Sequence, residues 1–373
     1  SENCPFSAAT MWLARKWREG LFGELMYAEY EYVHECRTLA YTYIDGHPII
    51  PGNQTHSWRS WLNFHYYNTH SLGPMMHISG LRPTRVTALP STPTLAGYIM
   101  AARDGMGGVT PSLINMSNGS VVRNLMGATT NDTHQQRIWG TLGSAEIIDG
   151  KLRLRLGGAG RSPKHEVVPN WDTLGELAQE TGHGGGDFWT LYHFARHILK
   201  DTPAFFDVYT AVDCTSPGIQ AYRSSLDDGK PYEVPDFRDP QQREAYREDH
   251  FAQSRFDHRN GLFPAEQDHA LTEQFSLTMK DLIRTSTSYR AYRDWKRVMS
   301  DMAESGQMQD IIDQLIEDLP RLLEVRQLAE EMVTTYPDSV AAHILGEMLA
   351  LCDDDRITSP GFLQDLQKER RSL

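Results

Sequence analysis

The sequence predicts an α+β fold, an open mixed or antiparallel β-sheet flanked by helices, followed by a C-terminal helical extension. Three observations carry this prediction. Between Arg85 and Leu156 several short apolar or alternating runs succeed one another without an intervening helical pattern, which excludes a doubly wound sheet. Helical apolar spacing brackets that region on both sides. Beyond about residue 250 the spacing stays helical and the charge changes with it, because −10 of the chain's net −13 falls on residues 301–373. The expected division is a sheet domain over residues 1–250 and an acidic helical extension over 251–373.

The elements follow in order. Ala8, Met11 and Trp12 recur at helical spacing after Pro5, and a cationic turn of Arg15, Lys16 and Arg18 leads to a stop at Gly20 or Gly23. Glu24 to His34 alternates, with Met26, Ala28, Tyr30 and Tyr32 on one face and Glu29 and Glu31 on the other, as a strand does. A Pro- and Gly-rich loop over residues 46–53 precedes a dense aromatic stretch from Trp58 to Pro74. Strands are expected at Val86–Leu89, Tyr98–Ala102, Val121–Met126 and Arg137–Trp139, and Ala145–Ile148 pairs with Leu152–Leu156 around an Asp149-Gly150 hairpin turn. Helices return at Trp171–Gln179, at Asp187–Leu199 with Asp187 as its N-cap, and at Asp207–Leu226, whereas residues 230–260 read as an extended surface segment. The tail predicts helices at Leu271–Arg284, Tyr289–Met302, Met308–Leu319, Leu322–Tyr336 and Ser339–Leu351, broken at Pro320 and Pro337.

Composition narrows the function. With 40% hydrophobic and 23% charged residues the chain has enough apolar material for a packed core. No basic stripe exists to track a phosphate backbone, so nucleic acid is not an expected partner. The mean hydropathy of −0.50 and the lack of a long uninterrupted apolar run give no reason to expect a membrane partner. The four cysteines, Cys4, Cys36, Cys214 and Cys352, stand far apart without a zinc-type spacing, and no metal site is expected. Cytoplasm and periplasm both remain open as compartments.

Chemistry concentrates in two places. Trp58, Arg59, Trp61, His65, Tyr66, Tyr67, His70 and His77 crowd into twenty residues, and aromatic faces with interspersed donors suit a sugar ring, while an imidazole exchanges protons near neutral pH. The run GHGGGDFW, Gly182 to Trp189, follows a helix rather than a strand and has Asp187 where a third glycine is needed, so it is not a dinucleotide fingerprint. It reads as a tight turn that aims His183, and His183 with Asp187 lacks a third ligand for a metal. Tyr32, His34 and Glu35 end the first strand, and Glu29, Glu31 and Glu35 leave a two-carboxylate glycosidase open. No G-x-S-x-G elbow supports a serine hydrolase.

Taken in order, ENC, GLFGELMYAEYEYVHE, WR with YYNTHSLGP, RIWGTLGSAEI, GHGGGDFW and DVYTAVDCTSPGIQAYRSSLDDGKPYEVPDF resemble the C-terminal domain of Gfo/Idh/MocA oxidoreductases over about Glu2 to Phe237, and most of all the NAD-dependent glycoside hydrolases of family 109. The resemblance implies that a Rossmann domain with its glycine fingerprint precedes this part, that NAD(P) is bound mainly there, and that Glu2 and Asn3 approach the cofactor. It further implies a carbohydrate or glycoside substrate, oxidation of a sugar hydroxyl followed by elimination and hydration, and a homo-oligomer formed through the sheet face. By motif, Tyr32 is similar to the family's active-site tyrosine, Tyr67 and His70 to its YxTH pair, and Arg59, with Trp58 beside it, to a substrate-positioning group; His183 and Asp187 would complete the sugar's surroundings. A second family tyrosine has no counterpart in NDTHQQRIWGT, where Asn131 or His134 stands nearby. Two other readings stay open: a nucleotide-free binding or scaffolding subunit, and a carboxylate hydrolase that works without NAD.

Overall fold

The computed structural model describes residues 2–35, 37, 63–98, 108–128, 132–169, 173–251, 269–302, 304 and 306–373. Its contacts form two units, one of Ser1–Glu35, Leu62–Thr94 and Met106–Arg255, the other of Cys36–Trp61, Leu95–Gly105 and Phe256–Leu373. No helix among the described residues is long and apolar enough to cross a membrane.

The first unit is built on a mixed nine-stranded sheet of order β8-β7-β6-β5-β1-β4-β3-β2-β9. The strands are β1 (Leu25–Val33), β2 (Pro83–Ala88), β3 (Val109–Met116), β4 (Val121–Gly127), β5 (Gln136–Gly140), β6 (Gly143–Ile148), β7 (Lys151–Leu156), β8 (Lys164–Val167) and β9 (Tyr232–Glu233). β1 lies parallel to β4, and the other described pairs are antiparallel. Asp149 (φ 52°) and Gly150 (φ 72°) form the expected hairpin turn between β6 and β7, both in the left-handed region that turn requires. β3, β8 and β9 are not among the strands read from the sequence; in β3 Thr110, Pro111 and Ser112 hide the apolar alternation. Most of the expected strand at Tyr98–Ala102 lies outside the described residues.

One register detail departs from simple alternation. Met26 is exposed although Ala28 and Tyr30 are buried, because a bulge between Leu25 and Tyr27 in the pairing with β5 moves Leu25, not Met26, to the inner face.

Helices α1 (Ala8–Arg18), α2 (Thr69–Ser79) and α5 (Val208–Leu226) cover that inner face. The core joins Leu13 and Trp17, Ala28 and Tyr30, Leu72 and Met75, Val122, Ile138, and Cys214. α1 starts where Ser7 Oγ accepts the backbone N–H of Thr10 at 3.3 Å, and α5 where Asp207 accepts that of Thr210 at 2.7 Å. Further along lie α3 (Thr173–Gln179), α4 (Gly186–Lys200) and α6 (Pro240–Ala245). The last corrects the extended reading of residues 230–260, since Asp239 caps a helix whose first residue is Pro240.

The second unit holds α7 (His269–Lys296), α8 (Gly306–Thr335), α9 (Val340–Leu351) and α10 (Phe362–Ser372). Two expected breaks are absent. Residues Thr285 to Ser288 stay helical in α7, with the hydroxyls of Thr285 and Thr287 donating back to the carbonyls of Asp281 and Ile283. Pro320 sits inside α8, where burial of Leu315, Leu319, Leu322 and Val325 on both sides of it outweighs the lost backbone hydrogen bond.

Two members of the histidine-rich stretch belong to the core. His65 is 2% exposed, its Nδ1 has no partner among the described residues, and burial lowers its pKa to about 3. His77 is lowered to about 4 by burial, then by the charges of Arg18 and His193. Both are therefore neutral when folded, and their contribution is present above the unfolded value near 6.5 and lost as pH falls through the range between 6.5 and the folded values. At pH 5 the cost from His65 is about 2 kcal/mol. Urea unfolding at pH 7 and pH 5 is expected to show this loss, and His65→Gln to flatten the pH dependence; an unchanged slope in the variant would refute the assignment.

Candidate active site

Glu2 to Cys4 run between the N-terminal ends of α2 and α4. Glu2 is buried and fully engaged. One carboxylate oxygen accepts the backbone N–H of Cys4 at 3.1 Å, the other meets His70 Nδ1 at 2.9 Å, and its carbonyl accepts from the Thr190 hydroxyl at 3.4 Å. Burial by itself raises the carboxyl pKa, but the hydrogen bond and charge of His70, the Cys4 N–H and the Thr69 hydroxyl overcome it and hold Glu2 down at about 2. Glu2 thus stays ionised and fixes Nδ1 of His70 as the hydrogen-bearing nitrogen, leaving Nε2 as the proton acceptor.

His70 stands in the first turn of α2 and is packed by rings. Tyr32, at the end of β1, meets it edge-on with centroids 4.5 Å apart, and Tyr67 tilts against it at 4.5 Å. Tyr32 is sandwiched further by His134, stacked at 4.4 Å with an interplanar angle of 8°. Burial lowers the pKa of His134, as do His34 and His70. His34 in turn pairs with Asp132 at 3.1 Å.

The glycine turn supplies the opposite wall. His183 (φ 55°), Gly184 (φ 61°) and Gly185 (φ 91°) all adopt left-handed backbone, so the chain reverses within three residues. Asp187 is not the N-cap of α4: Gly185 holds that position, and the Asp187 carboxylate instead accepts from Asn3 Nδ2 at 3.0 Å and pairs with His183 Nδ1 at 2.9 Å. Those two bonds, that of His183 foremost, lower its pKa. Gly186 is required by close approach, because a Cβ there would lie 2.6 Å from the Asn3 carbonyl oxygen.

Glu2, Asn3, His70, Asp187, Thr190 and Leu191 line one open cleft of about 360 Å³, at the small end of the range that holds a ligand of sugar size. The structure brings together Glu2, Asn3, Tyr32, Tyr67, His70, His183 and Asp187, while Trp58 and Arg59 lie outside the described residues. Thr190 and Leu191 were not singled out in the sequence, although their places three and four residues after Asp187 put them on the same helix face. Cys4 was missed as well, because only the fold sets positions 2, 4 and 70 side by side.

Glu29 and Glu31 are placed otherwise. Glu29 pairs with Arg137 at 3.2 Å, and Glu31 pairs with Arg123 at 2.7 Å and accepts from the Thr133 hydroxyl at 2.6 Å, on the sheet face away from the core. Against the partial burial that raises it, the hydrogen bonds of Thr133 and Arg123 and the charges of Arg123 and Arg137 lower the pKa of Glu31, and neither carboxylate is among the groups that line the cleft.

Among the described residues no glycine-rich turn leads from a strand into a helix in the dinucleotide-binding manner; the turn at Gly182–Gly186 follows α3.

Replacing Gly186 by Ala is expected to push Asn3 from Asp187 and cost about 1–3 kcal/mol in chemical denaturation. Unchanged stability would show that the approach of Asn3 to α4 is looser than described.

Comparison with known proteins supports a specific relationship. Residues 164–243 match the glycosyl hydrolase 109 C-terminal domain. A glycosyl hydrolase family 109 protein of Saccharopolyspora erythraea is 29% identical over 267 residues, covering 63% of this chain and 55% of that protein. An alpha-N-acetylgalactosaminidase of Tannerella forsythia is 25% identical over 281 residues, covering 63% and 58% respectively. The chain thus spans somewhat more than half the length of the curated relatives it matches. Among solved structures, levoglucosan dehydrogenase in complex with NADH and L-sorbose superposes with a TM-score of 0.46 at 16% identity, over 62% of this chain and 64% of that one. The chain is thus similar to the family 109 glycosyl hydrolases, over residues 164–243 to the C-terminal domain of that family and over 63% of its length to proteins that bear the family's name.

Proposed function

We propose that this chain is the sugar-side catalytic domain of an NAD(P)-dependent oxidoreductase or redox-type glycosidase. The observation that carries the reading is the pair of buried Glu2 with half-buried His70 at the edge of a cleft, with Tyr32 and Tyr67 packed on the imidazole. The nicotinamide cofactor, when bound, accepts and returns a hydride. The residues of this chain manage the protons. His70, held in one tautomer by an ionised Glu2, takes the proton of the sugar hydroxyl as its carbon is oxidised. Tyr32 lies against His70 at the end of β1 and is, in this reading, the base for the proton beside the resulting ketone. Asp187, braced by Asn3 and His183, accepts from sugar hydroxyls at the far wall. Trp58 and Arg59 belong to the same reading as substrate-positioning groups through their motif. The sheet face opposite the core carries exposed Leu113 and Trp139, and in this reading it pairs two copies of the chain.

The test is turnover of a panel of aryl glycosides, led by N-acetyl-α-galactosaminides because a 25% identical relative bears that name, by the protein as its cell makes it, with and without NAD(P). Turnover is expected to need the cofactor, and His70→Ala to lower kcat by on the order of 10²–10⁴-fold in a variant whose cooperative melting shows that it is folded at the assay temperature. Turnover without any cofactor, or full activity in His70→Ala, would overturn the reading.

A further inference from the structure

We propose that Glu2, Cys4 and His70 form a binding site for a soft divalent cation of the zinc type at the edge of the cleft. A carboxylate oxygen, a thiol sulfur and an imidazole nitrogen of these residues all lie within 4.8 Å of one another. Zinc bonds of roughly 2.0–2.3 Å in tetrahedral array place ligand atoms about 3.3–3.8 Å apart, so small side-chain movements close the set. These three donors are the types that zinc selects, and they come from a short turn and a helix start already locked together: the Cys4 N–H holds Glu2, and Glu2 holds His70.

Charge favours the same occupant. A divalent cation with one carboxylate and one thiolate makes a neutral buried unit, whereas the carboxylate alone leaves a net negative charge there. On binding, the Cys4 thiol gives up its proton to solvent, the His70 proton moves from Nδ1 to Nε2, and sulfur, nitrogen and oxygen bond to the metal. Three protein ligands leave a fourth position, and the cleft that Glu2 and His70 line supplies room for water or a sugar hydroxyl there. Nothing in linear spacing announces this site, since residues 2 and 4 meet residue 70 only through the packing of α2 against the first turn.

Bound at Nδ1, the same cation leaves the proton on Nε2 and so removes the acceptor that the proposed function uses. Inhibition by zinc therefore rests on that reading, while binding itself does not.

The experiment is a cobalt(II) titration of the whole chain, read by the thiolate-to-cobalt charge-transfer band in the near ultraviolet. One equivalent is expected to give the band, zinc to displace it, and a Cys352→Ser control to retain it. Cys4→Ser is expected to abolish the band and weaken cobalt binding by on the order of 10- to 100-fold, and His70→Asn to weaken it similarly, with melting temperatures showing that both variants fold. Absence of the band in the parent chain, or its persistence in Cys4→Ser, would overturn the site. Turnover separates the two proposals: zinc inhibition reversed by a chelator supports both, whereas cobalt binding through Cys4 with turnover unaffected sustains the metal site and overturns the role of His70.

Discussion

Tyr30 is wholly enclosed at the middle of β1, between β4 on one side and β5 on the other, and the placement of the site follows from that enclosure. A strand with a fixed inner residue has its whole register fixed, because a slip of one position would expose Tyr30 and bury Glu29 or Glu31. Two residues on, the same face presents Tyr32 where the strand emerges toward the start of α2. There Tyr32 meets His70 edge-on, and α2 is in turn held by Leu72 and Met75 in the same core. The distance between a tyrosine and a histidine at the cleft is thus set by apolar packing several ångströms below them.

Burial and charge oppose one another at Glu2. A carboxyl removed from water tends to hold its proton, yet here an imidazole, a backbone N–H and a hydroxyl converge on it and reverse that tendency. Such convergence is costly to disturb, because loss of any one donor leaves an ionised group buried with fewer partners. The arrangement also ties the first residues of the chain to α2 and, through Asn3 and Asp187, to α4. Three segments distant in sequence are joined by a handful of polar bonds, and the cleft is the space between them.

The histidines show how one residue type divides by environment. His70 faces the cleft with a charged partner, whereas His65 and His77, five and seven residues away on either side, are forced neutral by burial. The helical unit shows the complementary case of weak local signals overridden by packing. Pro320 and the Thr285–Ser288 run each argue for a break, and each is carried through a continuous helix by apolar neighbours on both sides.

The sequence by itself determined the α+β class, the β6–β7 hairpin at Asp149-Gly150, the existence of α1, the boundaries of α5 to within a residue, and the motifs that point to family 109. These are local properties, since periodicity, caps and turn chemistry act over a few residues. It also marked Glu2, Asn3, Tyr32, Tyr67, His70, His183 and Asp187, but only by likeness of motif and without saying which of them touch. Tertiary structure alone decided that Glu2 is the partner of His70, that His134 stacks on Tyr32, that Asp187 braces Asn3 rather than capping its helix, and that Cys4 joins the group. Each of these is a contact between residues separated by many positions, fixed by which faces of strand and helix are buried together, and no local pattern records such a choice.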